Sequence, residues 1–408
     1  MKFYHKAMND KWRFYSILSA GILFSIALNA QRTVSEAEAV DAALKNSALI
    51  QVSELQVMQS KYLQKSAFNI PNIDIIAESP TGNFYPIGAL QTLDFPTVYF
   101  KQNQLQRQMT TLSEKGKTLT QQDVKRLMHQ LYLSLQFAEA LKNQLHVQDS
   151  LYRQLSESAK RQFDAGQIDF LAKTFAESQY GEVHNQYIQT QTDYSVTLYQ
   201  LQTYTGIKEP FVVMPMSRTS VSSTDAATFG LANDLYSENP SYKYFQQLKE
   251  ISLRTLSVQR NKALPGLVLG YLNQGPPETE TFYKFRVGIR APIWFWQYSG
   301  NIKAARTGVA IAEQQAKAQQ QFITTEMELA VGNIQKYDES LKYYESVGLK
   351  RTEDIISTGK RFFESGQTDY INYLRNTNEA YLIKSRYLET LRNYNLSIIT
   401  FNYLTGKL

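Results

Sequence analysis

Residues that could carry out bond chemistry are few and scattered in this 408-residue chain. The histidines are His5, His129, His146 and His184, widely spaced, and there is no cysteine. A zinc site gathers three or four such donors, usually with a short-spaced pair such as His-x-x-His, and the sequence has none. The lack of thiols also excludes disulfides and a lipid-modified N-terminal cysteine. No Ser/His/Asp grouping, phosphate-cradling glycine loop or isolated carboxylate pair stands out. The net charge of +6 is mild for this length and gives no argument for nucleic acid. These observations predict a protein that is not an enzyme and needs no metal or other cofactor.

What the chain writes twice is a decapeptide: RQFDAGQIDF at 161–170 and RFFESGQTDY at 361–370. A glycine with polar neighbours on both sides reads as a helix terminus and turn. The elements on either side follow from proline placement. All eleven prolines fall between Pro71 and Pro96 or between Pro210 and Pro292. The stretches 97–209 and 293–408 have none, and proline breaks helix interiors. Val124, Leu131, Ala138, Leu145 and Tyr152 recur every seven residues, with Leu127, Leu141 and Leu155 on a second line interrupted by Ser134 and Gln148. That is a coiled-coil-like seam. The expectation is two long antiparallel helical hairpins, 98–162 with 168–205 and 298–361 with 368–404. The first helix would be on the order of 90 Å long at 1.5 Å per residue.

The proline-containing windows carry strand signals. YKFRVGIR (283–290) alternates Phe285, Val287 and Ile289 with Lys284, Arg286 and Arg290, a period of two. NIDIIAE (72–78) and LVLGYLN (267–273) are strand-like and more apolar. GALQTLDF (88–95) is weakest, because Leu90 and Leu93 fall on opposite faces. Before all of these, Lys2, Lys6, Lys11 and Arg13 precede the apolar run FYSILSAGILFSIALNA, which ends in small residues. That pattern predicts an export signal over 1–30, too short for a typical span.

The two halves match. Residues 161–206 align with 361–406 without a gap, 10 of 46 positions identical, each ending Thr-Gly at Thr205-Gly206 and Thr405-Gly406. Upstream, Asn46 matches Asn239, Pro71 matches Pro265 and Pro96 matches Pro292. The expected organisation is a first repeat over 31–206, a linker over 207–225 and a second repeat over 226–408. Lipid-exposed strands must close into a barrel, and four strands cannot do so alone, since eight is the usual minimum. Several copies would have to complete one barrel. If the strands instead form a soluble sheet, the pattern fits an exported coiled-coil structural or adaptor protein.

The order of elements, LKNSALIQVSEL/SENPSYKYFQQL, the strand-closing DFP and AP, and the doubled RxF(D/E)xGQxD turn resemble the TolC-type outer-membrane efflux proteins over nearly the whole chain. TLDFPTVYFKQNQL (92–105) further resembles the branch paired with heavy-metal cation pumps of the RND type. The resemblance implies a mainly α fold with a small β part, a homotrimer whose strands form a 12-stranded outer-membrane β-barrel, and a periplasmic helical tunnel. It implies a passive exit duct docked to a periplasmic adaptor and an inner-membrane pump. The turns would meet the adaptor through Phe163, Gly166, Gln167, Asp169, Phe363, Gly366, Gln367 and Asp369. Positions that close the tunnel in the family correspond to Phe363, Thr368 and Asn372, which lack the family's charged pairing. On this reading Lys284, Arg286 and Arg290 face the barrel lumen, because lipid exposure costs roughly 2–4 kcal/mol per basic residue at the midplane. Trp294, Phe295 and Trp296 would form an aromatic belt at the membrane interface.

Overall fold

The computed structural model describes residues 32–78, 85–220, 235–272 and 280–408. The expected export signal and the last part of the expected linker lie outside these residues. The described chain is mainly helical with a small β part. Its helices are α1 (Glu36–Asn46), α2 (Ala48–Lys65), α3 (Pro96–Asp164), α4 (Phe170–Thr205), α5 (Pro240–Lys262), α6 (Phe295–Tyr343), α7 (Leu349–Glu364) and α8 (Tyr370–Leu404). Its strands are β1 (Arg32–Val34), β2 (Asp74–Glu78), β3 (Tyr85–Leu93), β4 (Phe211–Val213), β5 (Gly266–Tyr271) and β6 (Phe285–Arg290).

α3 has 69 residues and so spans about 100 Å. It starts at Pro96, where the missing proline N–H would have had no helical partner. The seam read from the sequence is largely buried: Val124, Ala138, Leu145, Tyr152 and Leu155 are inside, whereas Leu127 is 37 % exposed. Side by side, α2, α3, α5 and α6 form one layer, with α4 below α2 and α8 below α5. α2 and α6 are therefore its edges. Three separate cores lie along this layer rather than one: around α1, β1 and β4; between α6 and α8; and near the turns.

Four strands make one antiparallel sheet in the order β2-β3-β5-β6. β6 starts at Phe285, not at 283, because Thr281–Lys284 forms a 3-10 turn. β1 and β4 form a separate parallel pair that the sequence reading did not anticipate. The Tyr132 hydroxyl joins that pair, donating to the Val34 carbonyl (2.8 Å) and accepting from the Met214 N–H (3.0 Å).

Each half is tied back to its own start by one asparagine. Asn46 Nδ2 donates to the Tyr204 carbonyl (3.2 Å), and Asn239 Nδ2 donates to the Leu404 carbonyl (2.9 Å). Both satisfy last-turn carbonyls that have no intrahelical partner. The glycines that follow, Gly206 and Gly406, have φ of +73° and +72°.

The long outgoing helices of the two halves differ. α3 is α-helical throughout, whereas the second long helix, expected as one piece over 298–361, is interrupted by a π-turn at Tyr344–Gly348. Gly348 fits because a Cβ there would come within 3.1 Å of the Tyr344 ring. Across this turn lies a strap from the linker. Arg218 pairs with Asp338 and with Glu345 (3.0 Å), and its guanidinium lies 5.3 Å over the Tyr394 ring. Asn395 fixes the same strap, accepting from Thr219 N–H (3.0 Å) and donating to the Ser217 carbonyl (2.8 Å).

Burial alone would raise the Asp338 carboxyl. The hydrogen bond from Lys342 and the Arg218 charge outweigh it and hold the group below the usual carboxylate range. A depressed folded value means the pair's contribution is complete above the unfolded value and is lost as pH falls through the folded one. Arg218→Ala should cost about 1–2 kcal/mol, as for a partly buried, hydrogen-bonded ion pair. The melting-temperature gap to wild type should stay constant from about pH 8 to 5 and narrow below about pH 4. A gap that widens on acidification would contradict this.

Candidate functional site

The residues singled out in the sequence lie at the chain's two ends, the helical turns and the sheet. At the turns the decapeptides fold identically. Gly166 (φ +73°) donates from N–H to the Phe163 carbonyl (2.9 Å), and Gln167 N–H reaches the Gln162 carbonyl (2.8 Å). Gly366 (φ +74°) repeats the pattern with Phe363 (3.1 Å), and Gln367 with Phe362 (2.8 Å). This is a Schellman termination, which needs a left-handed residue after the helix. The repeated aspartate starts the return helix. Asp169 Oδ1 accepts from Ala172 N–H (2.8 Å), and Asp369 Oδ1 accepts from Asn372 N–H (2.7 Å). Asp and Gly therefore do structural work at fixed spacing, while Gln167 and Gln367 stand exposed at the apex.

Phe163, Phe363 and Tyr370 of the motif turn inward, whereas Phe170 and Phe362 are exposed. Phe163 is half-buried and meets Phe170 edge-on at 6.1 Å, with Lys173 Nζ 5.1 Å over its ring. Phe363 stacks on Tyr373 at 4.7 Å with 10° between planes, and meets Tyr370 edge-on at 5.2 Å. Tyr370 in turn donates its hydroxyl to the Leu155 carbonyl of α3. Thr368 is half-buried, and Asn372 is held by Asp369 through its backbone and its side-chain amide.

At the other end, register sorts the sheet into two faces. Leu267 pairs with Ile289, Leu269 with Val287 and Tyr271 with Phe285; across β3, Leu93 pairs with Leu267 and Ala89 with Tyr271 and Ile75. These residues share one apolar face, on which Ile75, Val287 and Ile289 are 76, 79 and 73 % exposed. Gln91 is the polar residue on that face, opposite Leu269. The opposite face is mixed, carrying Asp74, Thr92, Arg286 and Arg290 together with Ile76, Leu90, Val268 and several glycines. Arg290 pairs there with Asp94 (2.6 Å). Lys284 lies in the 3-10 turn, its carbonyl accepting from Leu272 N–H (2.9 Å). Directly after the sheet, Trp294, Phe295 and Trp296 open α6 at 66, 72 and 61 % exposure.

The three histidines among the described residues serve packing and local hydrogen bonding. His129 Nδ1 bonds Glu36 (2.6 Å), His184 Nδ1 bonds Asp149 (2.8 Å), and His146 lies against Tyr187. Among the described residues no helix is long and apolar enough to cross a membrane. Sequence reading flagged Asn46 and Asn239 only as a matched pair, and it missed Arg218, a basic residue in a linker without periodicity.

No protein-family model matches the sequence, and no curated protein does. Solved structures do. The chain superposes on CusC with a TM-score of 0.74 at 13 % identity, covering 91 % of each chain. It matches the outer-membrane channel OprN with a TM-score of 0.76 at 12 % identity, covering 91 % of this chain and 90 % of that one. The Campylobacter jejuni outer-membrane channel CmeC gives 0.75 at 15 % identity, with 91 and 85 % covered. The chain has the fold of TolC-type outer-membrane channels. The TolC-type fold here retains both features described above, the paired turns and the two-faced sheet.

The turns permit a direct check. No heavy atom lies within 4 Å of a Cβ built on Gly166 or Gly366, so strain alone opposes substitution. Gly366→Ala should cost about 1–2 kcal/mol through its left-handed φ, and Gly366→Asn less. Amide exchange at the ends of α7 and α8 should accelerate, with the sheet unaffected. Equal exchange in both variants would show that the glycine's conformation is not the constraint.

Proposed function

We propose that the protein is an outer-membrane exit duct, a passive conduit within a tripartite efflux system. Three copies assemble a 12-stranded barrel, and their helices continue it as a periplasmic tunnel. The observation that carries this reading is the sheet itself, with one largely apolar exposed face, its arginines on the other, and two edges unpaired among the described residues. Because β2, β3, β5 and β6 alternate in direction, β6 of one copy can pair antiparallel with β2 of the next. The helical layer has the same order, so α6 of one copy meets α2 of the next. Both edge helices expose apolar residues, Leu49, Leu55 and Tyr62 on α2 and Ile311, Phe322 and Leu329 on α6. A head-to-tail contact of this kind closes into a ring when the rotation per copy allows it.

In the assembled duct Arg286, Arg290 and Lys284 line the lumen, and Trp294, Phe295 and Trp296 sit at the membrane interface. The six turns of a trimer face the periplasm and dock a helical adaptor, which links the duct to an inner-membrane RND-type pump. The contacts assigned to docking are Gln167 and Gln367 at the apex, with the Gly and Asp positions and Phe163 and Phe363 shaping the tips. Closure of the tunnel is assigned to Phe363, Thr368 and Asn372, where packed aromatics take the place of charge pairs. Residues 1–30 direct export, and residues 31–206 and 226–408 are the two repeats joined by 207–225. The resemblance of residues 92–105 to the heavy-metal branch makes metal cations the proposed cargo.

Val287→Arg tests the orientation of the sheet. On a lipid-facing surface it should cost roughly 2–4 kcal/mol near the midplane and deplete assembled protein from the outer membrane. Arg286→Ala, one residue away on the other face, should assemble normally and change only ion selectivity. Equal outer-membrane yields of the two variants would count against a barrel.

A further inference from the structure

The ends of the helices that adjoin the sheet are charged in one sign only. Moving away from the sheet, the first acidic residue is Glu54 on α2, Glu114 on α3, Glu250 on α5 and Glu313 on α6. At 1.5 Å per residue this leaves a zone about 16–27 Å deep without a carboxylate on any of the four helices. Basic residues do occur there. Lys101 and Arg107 lie on α3, Arg260 and Lys262 on α5, and Lys303 and Arg306 on α6. None of these six forms an ion pair with an acidic side chain among the described residues. Elsewhere the same helices pair their charges routinely, as in Lys117 with Glu54 and Lys249 with Glu313. Lys61 and Arg254, also in the zone, pair with the carboxylates at its border, Glu114 (3.5 Å) and Glu250 (2.6 Å). The six above leave it a belt with an excess of basic charge, directly beside the exposed aromatics that end the sheet.

Part of the belt is built into a cleft. Ala263 and Pro292 close one side, and α6 supplies Phe295, Tyr298, Ile302, Lys303 and Arg306 in a cavity of about 360 Å³. The cleft is apolar toward the sheet and basic away from it. A water-filled bore gives no reason to expose Phe295 beside Ile302, whereas a lipid does. Its chain can cover the aromatic end and its phosphate can meet the two cations.

Resting on the barrel reading above, we propose that this belt binds the headgroups of anionic phospholipids in the membrane leaflet on the helical side, with the Phe295–Arg306 cleft as its principal seat. The depth fits. Beyond the hydrocarbon core, headgroup layers occupy about 5–8 Å on each side, and surface potential extends a further Debye length of about 8 Å. Basic residues within that reach are attracted to anionic lipid by about fivefold in affinity each. The belt would hold the assembly at a fixed depth, aromatic residues at the interface and cations among the phosphates.

The test uses the full-length assembly in non-ionic detergent doped with phosphatidylglycerol or phosphatidylcholine, read by native mass spectrometry. Wild-type protein should retain phosphatidylglycerol several-fold more than phosphatidylcholine. Lys303→Gln with Arg306→Gln should remove most of that preference, bringing retention of the two lipids close to equal. Arg260→Gln with Lys262→Gln, on the neighbouring helix, should reduce it as well and guards against a folding artefact in α6. Lys336→Gln, far from the sheet, should change nothing. Equal retention of both lipids by a detergent-dependent assembly would overturn this inference alone. So would altered ion selectivity with unchanged lipid preference, which would put the cations in the bore. An assembly that remains soluble without detergent would overturn the barrel reading and this inference together.

Discussion

Among the described residues the outer edges of β2 and β6 have no strand beside them within one chain, and the rest of the architecture follows from how those backbone groups are satisfied. An unpaired edge can be tolerated in water, where solvent bonds to it, but not in hydrocarbon. The sheet's apolar face argues for hydrocarbon, with Val287 and Ile289 almost fully open. The two conditions are met together only if another copy supplies the missing strand. Four alternating strands leave edges of opposite direction, so addition is always antiparallel and can continue until a ring closes. The same repeat of four governs the helical layer, which carries the β register into a wall about 100 Å long.

A wall one layer thick cannot rely on a single core. Its stability comes from local devices placed at each end of each hairpin. The turn glycines terminate one helix while the aspartates three residues on start the next. The asparagines at 46 and 239 then anchor the far ends. This explains why the decapeptide is duplicated with its spacing intact while most of the surrounding positions have drifted. Duplication also shows where the halves were allowed to diverge. The π-turn at Tyr344–Gly348 lies in the second half and the Arg218 strap from the linker packs against it, so that hairpin is the one whose helix departs from regular geometry.

Much of this was legible in the residues because the periods are long and undisturbed. Proline-free tracts gave the helical hairpins to within a few residues, and strict alternation revealed β6. β3 was harder to read because Leu90 sits on the face that carries the arginines. The structure supplies the reason: a Cβ on Gly270 would come within 2.9 Å of Leu90 Cδ1, so the leucine fills the space that the opposite glycine leaves. The π-turn left no trace in sequence, since a single glycine and two tyrosines are unremarkable within a helix. β1 and β4, at three residues each, are too short for any periodicity. Charge on the helix ends was visible all along, but only the fold brings four separate segments to one level.

The central claim is that β6 of one copy lies against β2 of the next in a closed ring of three. The absence of native cysteine makes this directly measurable. Cysteine pairs placed one in β2, at Ile75, and one in β6, at Phe285, Val287 or Ile289, should oxidise between copies in the outer membrane. One pairing should dominate, and denaturing gels should show covalent dimer and trimer with nothing larger. Failure of every pairing in assembled protein, or a ladder that continues past three, would contradict the account.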